Sequence, residues 1–190
     1  MPEDRIYTAA TVVIGNEILS GRTRDLNVSF IGEKLAAQGI RLHEVRIVRD
    51  TFDAIADAVN TLRAAHDYVF TTGGIGPTHD DITSEAIARA FGMPFGRNPE
   101  AEAILRAYYD PADITDARLS MADTPAGAEL IENPVSRAPG FRVENVYVLP
   151  GVPGILQVMF DGLSGNLAGG SPVVSKSRDT ISTSFQTWVL

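Results

Sequence analysis

The chain contains no cysteine and no long hydrophobic run. Without cysteine it forms no disulfide, no thiolate metal site and no cysteine nucleophile, and a structural zinc site is not expected. No apolar stretch approaches the roughly 20 residues needed to cross a bilayer, so no transmembrane helix is predicted. The first five residues, Met-Pro-Glu-Asp-Arg, are polar and acidic, unlike a secretory signal. These absences predict a cytoplasmic protein with no membrane partner.

Basic residues are fewer than acidic ones, 16 against 24, which gives a formal net charge of −8 at pH 7. A nucleic-acid partner requires a basic face, so this charge argues against DNA or RNA binding. It argues equally against an anionic membrane surface. The chain has 190 residues, of which 44% are hydrophobic and 21% charged. Those values are typical of one globular domain with a sizeable core.

Apolar patterns of strand and helix type alternate along the first half of the chain. Strands are predicted over residues 8–14, 41–48, 68–72 and 143–149, and helices over residues 27–38, 51–65, 84–91 and 154–160. Thr83 is predicted to cap the third of these helices. This alternation predicts an α/β fold with a mainly parallel sheet and helices on both faces.

The remaining segments are less regular. Residues 99–122 have a helical pattern interrupted at Pro111, and residues 127–141 are predicted as a loop or irregular hairpin. We expect one domain over residues 5–163, followed by a linker and an incomplete C-terminal segment over residues 164–190.

A glycine-rich segment joins the third predicted strand to the third predicted helix. Gly73, Gly74 and Gly76 allow a sharp turn and a close approach of backbone to ligand. Free N–H groups in such a turn and at the following helix start favour an anion, typically a phosphate. Asp80 and Asp81 follow directly, and carboxylates beside a phosphate imply a bridging divalent cation. The segment is neither a P-loop, which ends in Gly-Lys-Ser/Thr, nor a Rossmann fingerprint, which has a further glycine.

Residues 73–81, Gly-Gly-Ile-Gly-Pro-Thr-His-Asp-Asp, resemble the Gly-Gly-x-Gly-x-x-x-x-Asp signature of the molybdopterin-binding (MoaB/Mog) family. They are most similar to the amino-terminal domain of the competence/damage-inducible protein A (CinA) family. Two further motifs carry the same resemblance. The first is Gly-Asn-Glu-Ile-Leu-Ser-Gly at residues 15–21, and the second joins residues 133–141 to Leu-Pro-Gly-Val-Pro at residues 149–153. The resemblance covers residues 8–160.

This resemblance implies a three-layer α/β/α sandwich with a pocket on its rim for a phosphate-bearing pterin, such as molybdopterin, or a nucleotide. It implies that Asp80 and Asp81 are catalytic and hold a divalent metal, with Mg²⁺ expected. It also implies ligand-binding roles for Glu17, Gly21, Asn27, Thr72, Gly73, Gly74, Gly76, Pro77, Thr78, Asn133, Pro150 and Gly151. Relatives form dimers or trimers, so a homo-oligomer is expected.

Three functions remain open at this point. One is metal-dependent hydrolysis of ADP-ribose-type pyrophosphates, which a carboxylate at Asp80 favours because Mog-type proteins carry a basic residue there. The second is adenylyl transfer to molybdopterin in molybdenum cofactor biosynthesis, and the third is a non-catalytic binding module. Structural roles also remain open for single residues: Asp80 as a bracket of the turn, Asn27 as a helix cap, and Arg137 as a surface side chain instead of a phosphate ligand.

Overall fold

The computed structural model describes residues 5–171, so the predicted C-terminal segment lies outside the described residues from position 172 on. In chain order the elements are β1 (Tyr7–Ile14), α1 (Asn16–Leu19), α2 (Asn27–Ala37), β2 (Ile40–Val48), α3 (Phe52–Ala65), β3 (Tyr68–Thr72), α4 (Thr83–Phe91), β4 (Phe95–Arg97), α5 (Pro99–Tyr108), α6 (Asp116–Leu119), β5 (Asp123–Pro125), β6 (Glu129–Ile131), β7 (Gly140–Val143), β8 (Val146–Leu149) and α7 (Pro153–Ser164). Short 3₁₀ turns cover Pro111–Asp113 and Ser120–Ala122.

Six strands form one sheet in the order β2-β1-β3-β8-β7-β6. Strands β2, β1, β3 and β8 run parallel, whereas β7 is antiparallel to both β8 and β6. The predicted mainly parallel sheet is therefore confirmed. After β1 the chain moves outward to β2 and then returns to β3 on the other side of β1. Such a reversal opens a crevice beyond the carboxyl ends of the two central strands.

Helices cover both faces of this sheet and bury two separate cores. On one face, Val12 of β1 packs with Ile55 and Val59 of α3 and with Ile87 of α4. On the other face, residues of α2 and α7, including Leu35, pack against the opposite side of the sheet. The apolar residues of α3 recur at the spacing of one helical stripe, as its sequence predicted. The three-layer α/β/α arrangement is confirmed.

A small lobe follows α4 and adds to one end of this sandwich. It consists of α5, α6 and the two-stranded sheet of β4 and β5, with Ala101, Leu105 and Ala122 as its core. The Asn98 side chain accepts hydrogen bonds from the N–H groups of Glu100 and Ala101, at 2.9 and 3.1 Å. This cap, with proline in the first turn, fixes the start of α5.

The structure corrects several local predictions. Residues 143–149 are not one strand, because the chain turns at Glu144, which has a φ of 51°, and returns as β8. Ile82 stands at the N-cap position of α4 without a side-chain hydrogen bond, so Thr83 is the first helical residue and not the cap. Its N–H donates instead to the carbonyl of Gly74 at 2.9 Å. Helix α7 begins at Pro153 and continues to Ser164, beyond the predicted end.

The last described residues lie against the domain. The Tyr68 hydroxyl donates to the carbonyl of Ala168 at 3.0 Å, and Leu167 packs against the core on the α2 and α7 face. Across residues 5–171, no helix is long and apolar enough to cross a membrane.

Candidate functional site

A cleft of about 700 Å³ opens beyond the carboxyl ends of β1, β3 and β8. Its walls are the segment after β1, the glycine loop after β3 and the turn after β8, together with residues from the small lobe. All three sequence motifs that carried the family resemblance therefore meet at one place, as the parallel sheet requires.

The glycine loop lies directly against the end of β1. Gly73 has a φ of 104°, and a Cβ there would lie 2.2 Å from the carbonyl oxygen of Ile14. Only glycine fits this position without displacing backbone. A Cβ on Gly151 would in turn lie 3.2 Å from the Cα of Gly73. The floor of the cleft is therefore built by close backbone contact between three strand ends.

Asp81 is held in place by Thr78. The carboxylate oxygen Oδ2 of Asp81 accepts hydrogen bonds from the Thr78 N–H at 2.9 Å and from the Thr78 hydroxyl at 2.5 Å. Gly76 gives this carboxylate room, because a Cβ on Gly76 would lie 2.7 Å from Oδ2. Asp81 thus has one oxygen fixed by the turn and the other with no hydrogen bond to a described residue.

Asp80 is exposed and carries its charge readily. The Thr78 hydroxyl and the N–H of Asp80 itself stabilise the ionised form, with a smaller contribution from His79, and hold the pKa of Asp80 below its ordinary value. The proton of that hydroxyl is donated to Asp81 at 2.5 Å, so its effect on Asp80 is the weaker of the two contacts. Asp80 therefore presents an ionised carboxylate to the cleft.

Asn27 joins the three walls instead of capping α2. The side chain is only 3% exposed, and its Nδ2 donates to the Thr72 hydroxyl at 2.8 Å and to the carbonyl of Gly151 at 2.9 Å. The Thr72 hydroxyl donates onward to the carbonyl of Pro150 at 3.3 Å. The cap role falls to Asp25, which accepts from the Val28 N–H at 2.9 Å. Oδ1 of Asn27 is buried with no partner among the described residues.

Asn133 and Arg137 organise the loop before β7. Asn133 Nδ2 donates to Ser136 and Ala138, and its Oδ1 accepts from the N–H groups of Val135 and Ser136. These four bonds use the whole hydrogen-bonding capacity of the amide, so it shapes the cleft wall. Arg137 pairs with Glu132 at 3.3 Å and does not line the cleft. The surface interpretation of Arg137 fits this geometry.

The structure brings together most of the residues predicted to bind ligand. Those that line the cleft are Glu17, Asn27, Thr72, Gly73, Gly74, Gly76, Pro77, Asp80, Asp81, Asn133, Pro150 and Gly151. Gly21 and Thr78 do not line it. Gly21 turns the preceding segment with a φ of 72°, and Thr78 contributes to the cleft through its contacts with the neighbouring aspartates. Their individual functional roles stay predictions.

The glycine loop also borders a second, smaller cavity of about 380 Å³. Gly76, Pro77 and Asp81 line both cavities, whereas the start of α4, at Ser84, lines only the smaller one. The sequence suggested that loop and helix start would serve one anion site. The structure instead places the helix start on the far side of the loop.

Several polar residues of the cleft have no counterpart among the sequence predictions: Arg24, Asp25, Asp50, Tyr109 and Arg118. Asp50 holds the segment after β1, since its carboxylate accepts from the Asn16 N–H at 2.7 Å. Arg24 lies in the same segment and is exposed, and Arg118 and Tyr109 belong to the small lobe. None sits in a recognisable motif. Only the position of Arg24 and Asp25, shortly before Asn27, gave a signal in the sequence.

Carboxylates outnumber guanidinium groups in this cleft. Within residues 5–171, no group of three or more acidic or histidine side chains is arranged to hold a metal ion. Asp80 and Asp81 nevertheless suit a magnesium ion, which binds through one or two carboxylates and takes its remaining ligands from water and substrate phosphates. The donors present thus fit a cation that binds together with an anionic ligand.

Comparison with known proteins identifies the class to which this fold and cleft belong. Residues 10–168 match the family described as "Probable molybdopterin binding domain". That match covers most of the chain, and the chain belongs to this family.

Two of the similar proteins are named CinA or CinA-like. A CinA-like protein from Desulfosudis oleivorans is 37% identical over 185 residues, which are 90% of this chain and 44% of that protein. The crystal structure of CinA from Thermoplasma acidophilum, whose function its description gives as unknown, has a TM-score of 0.80 and 36% identity. It covers 85% of this chain and 98% of that one.

MoaB from Thermus thermophilus has a TM-score of 0.55 at 16% identity, with 85% of this chain and 92% of that one covered. At that identity the likeness shows the fold alone. The chain spans less than two thirds of the length of the curated relatives that it matches. The family and fold predicted from the sequence are confirmed.

Proposed function

We propose that the cleft binds a phosphate-bearing nucleotide or pterin together with a divalent cation, and that it hydrolyses the diphosphate bond of an ADP-ribose-type molecule. One observation carries this proposal: the two adjacent carboxylates of Asp80 and Asp81 face the cleft beside the glycine loop. A diphosphate at that place meets like charge on both side chains. A divalent ion, with Mg²⁺ expected, removes the repulsion.

In this reaction the residues of the chain mainly position and neutralise. The backbone of the glycine loop approaches the ligand closely, since no side chain intervenes. Thr78 fixes one oxygen of Asp81 and leaves the other for the cation, and Asp80 remains ionised at neutral pH. Asp80 and Asp81 would hold the cation, which would supply charge neutralisation for the diphosphate and activation of water. Water adds to one phosphorus as its bond to the bridging oxygen breaks, which yields AMP, ribose 5-phosphate and protons.

Adenylyl transfer to molybdopterin is the second candidate. The family description names molybdopterin, and the relatives that share the fold include proteins of molybdopterin biosynthesis. Against it stands the acidic residue at position 80, which is a poorer direct partner for a pterin phosphate than a cationic side chain is. A binding module without catalysis is the third candidate, and it requires a ligand but no turnover.

The test is calorimetric titration with ADP-ribose, ATP, FAD and molybdopterin, each with and without Mg²⁺, followed by hydrolysis assays with Mg²⁺, Mn²⁺ or Co²⁺ against EDTA. We expect metal-stimulated release of AMP from ADP-ribose. Tight molybdopterin binding without any hydrolysis would instead favour the pterin function. Ligand binding with no turnover of any substrate would leave the binding module.

We further infer a homo-oligomer, a dimer or trimer, in the cytoplasm. Strand β2 is an edge of the sheet that the described residues form, and its Val45 and Ile47 are 39% and 45% exposed, which supports self-association. Exposed apolar side chains on an edge strand favour pairing with another chain. Light scattering behind size-exclusion chromatography measures the mass, and a monomer at micromolar concentration would contradict the inference.

A further inference from the structure

Arg118 of the small lobe reaches the cleft and is held there by two contacts. Its guanidinium carbon lies 4.4 Å from the centre of the Tyr109 ring, a cation–π distance. Its Nη1 donates to the carbonyl oxygen of Asp113 at 2.6 Å and lies 3.5 Å from the Asp113 carboxylate. Both Arg118 and Tyr109 line the cleft. The guanidinium is therefore fixed in orientation before any ligand arrives.

The rest of this guanidinium is available. Among residues 5–171, no hydrogen bond joins Nε or Nη2 of Arg118 to another residue, and its side chain is 37% exposed. The N–H groups on Nε and Nη2 point in parallel and match two oxygens of a phosphate or carboxylate. A side chain held by stacking loses little further freedom when it binds an anion, so the site is preorganised.

Arg24, the other arginine of the cleft, differs in this respect. It is exposed and makes no ion pair within the described part of the chain, so it must lose side-chain freedom to bind. The other charged residues that line the cleft are carboxylates. An anionic ligand thus meets one fixed cation in the cleft, on the wall contributed by the small lobe.

We propose that Arg118 binds a second anionic group of the ligand, separate from the group at the glycine loop. The cleft then selects a nucleotide with a diphosphate linkage over a nucleoside monophosphate. This inference rests on the proposed function, because it concerns a ligand in the same cleft. It gives the small lobe a role in substrate selection, and Arg118 lies outside the three sequence motifs.

The test compares Arg118→Ala and Arg118→Lys with Arg106→Ala. Arg106 lies in the same lobe, on α5, where it pairs with Glu102 at 2.7 Å and does not line the cleft. Calorimetry in Mg²⁺ measures the affinity for AMP and for the methylene analogue of ADP-ribose, whose bridging carbon prevents hydrolysis. Thermal melting confirms that each variant is folded.

For Arg118→Ala we expect the affinity for the methylene analogue to fall about 10- to 100-fold, the range for a lost hydrogen-bonded charge. Affinity for AMP should change less than about twofold, and Arg106→Ala should match the wild type. The lysine variant keeps the charge and the stem on Tyr109 but lacks the paired donors. Its loss should be about threefold or more, and it carries the test if the alanine variant does not fold.

The outcomes separate this inference from the proposed function. If the wild type binds no diphosphate ligand, both are overturned. If the wild type binds the analogue and the folded Arg118 variants bind it equally well, only the role of Arg118 is overturned. Equal losses for AMP and for the analogue would also overturn it, because Arg118 would then not distinguish a second anionic group.

Discussion

Replacing Asn27 with alanine tests how the three walls of the cleft are held together. The change removes both Nδ2 hydrogen bonds, to Thr72 and to Gly151. Each neutral buried bond contributes about 1 kcal/mol net. The truncation also opens a small cavity, but it removes the unpartnered Oδ1, whose burial is itself costly. These last two effects oppose each other, so we expect the free energy of unfolding to fall by about 2 kcal/mol.

Urea unfolding at 25 °C measures this free energy directly. A parallel thermal scan should show the melting temperature lowered by about 4–8 °C, since a domain of this size loses about 2–4 °C per kcal/mol. Asn60→Ala is the matched control. Asn60 is exposed on α3, where alanine is the better helix former, so stability should stay equal or rise slightly. If the free energy of unfolding of Asn27→Ala lies within about 0.5 kcal/mol of the wild-type value, Asn27 does not hold the three walls together.

Three further predictions follow from single contacts. Asp81→Asn keeps an oxygen for Thr78 but loses the charge. The rate of ADP-ribose hydrolysis should therefore fall by ~10²-fold or more, with little change in melting temperature. Full activity of this variant would contradict the proposed catalytic role of Asp81. Gly73→Ala forces a Cβ to 2.2 Å from a carbonyl oxygen at a φ of 104°. Urea unfolding should therefore show the free energy of unfolding lowered by at least about 2 kcal/mol. In the control Gly96→Ala a Cβ meets nothing within 4 Å, so its stability should be nearly unchanged. Burial alone would raise the pKa of Asp67, but hydrogen bonds from Thr8 and Arg5 outweigh it and hold that pKa below its ordinary value. Because the folded-state pKa is the lower one, this stabilisation is present above the ordinary pKa of about 3.9 and is lost as pH falls through the folded value. Asp67→Asn should therefore be less stable at pH 7 and should lose less stability between pH 7 and pH 3; an unchanged pH dependence would refute the assignment.

The central fold was predictable because its elements follow local rules. Strands β1 and β3 are runs of β-branched and apolar residues, and the apolar residues of α3 have helical spacing. The alternation of such strands and helices along the chain implied the parallel sheet. The β7–β8 hairpin was missed because its turn uses Glu144 in a left-handed conformation, which non-glycine residues rarely adopt. No glycine marked the break at that point.

The candidate site was predictable only where backbone geometry demanded glycine or proline. Gly73 and Gly151 meet because their strands end side by side, and both residues lie in short motifs. The role of Asn27 depends on partners 45 and 124 residues away, which no local pattern reveals. Arg118 reaches the cleft from the small lobe, whose placement depends on tertiary packing. The sequence around Arg118 alone is that of a solvent-exposed helix and does not indicate a site.

The position of β8 in the sheet has a consequence for how the chain folds during synthesis. Among the strands of residues 5–171, β8 is the last to leave the ribosome, yet it lies between β3 and β7. Until it emerges, β3 is an open edge that carries the fully buried Val69 and Phe70 of the finished protein. Open apolar edges invite pairing with other chains, so the interval before Val146 emerges is the period of greatest aggregation risk. The glycine loop has no floor until Gly151 follows, and the cleft is therefore among the last parts of the sandwich to form.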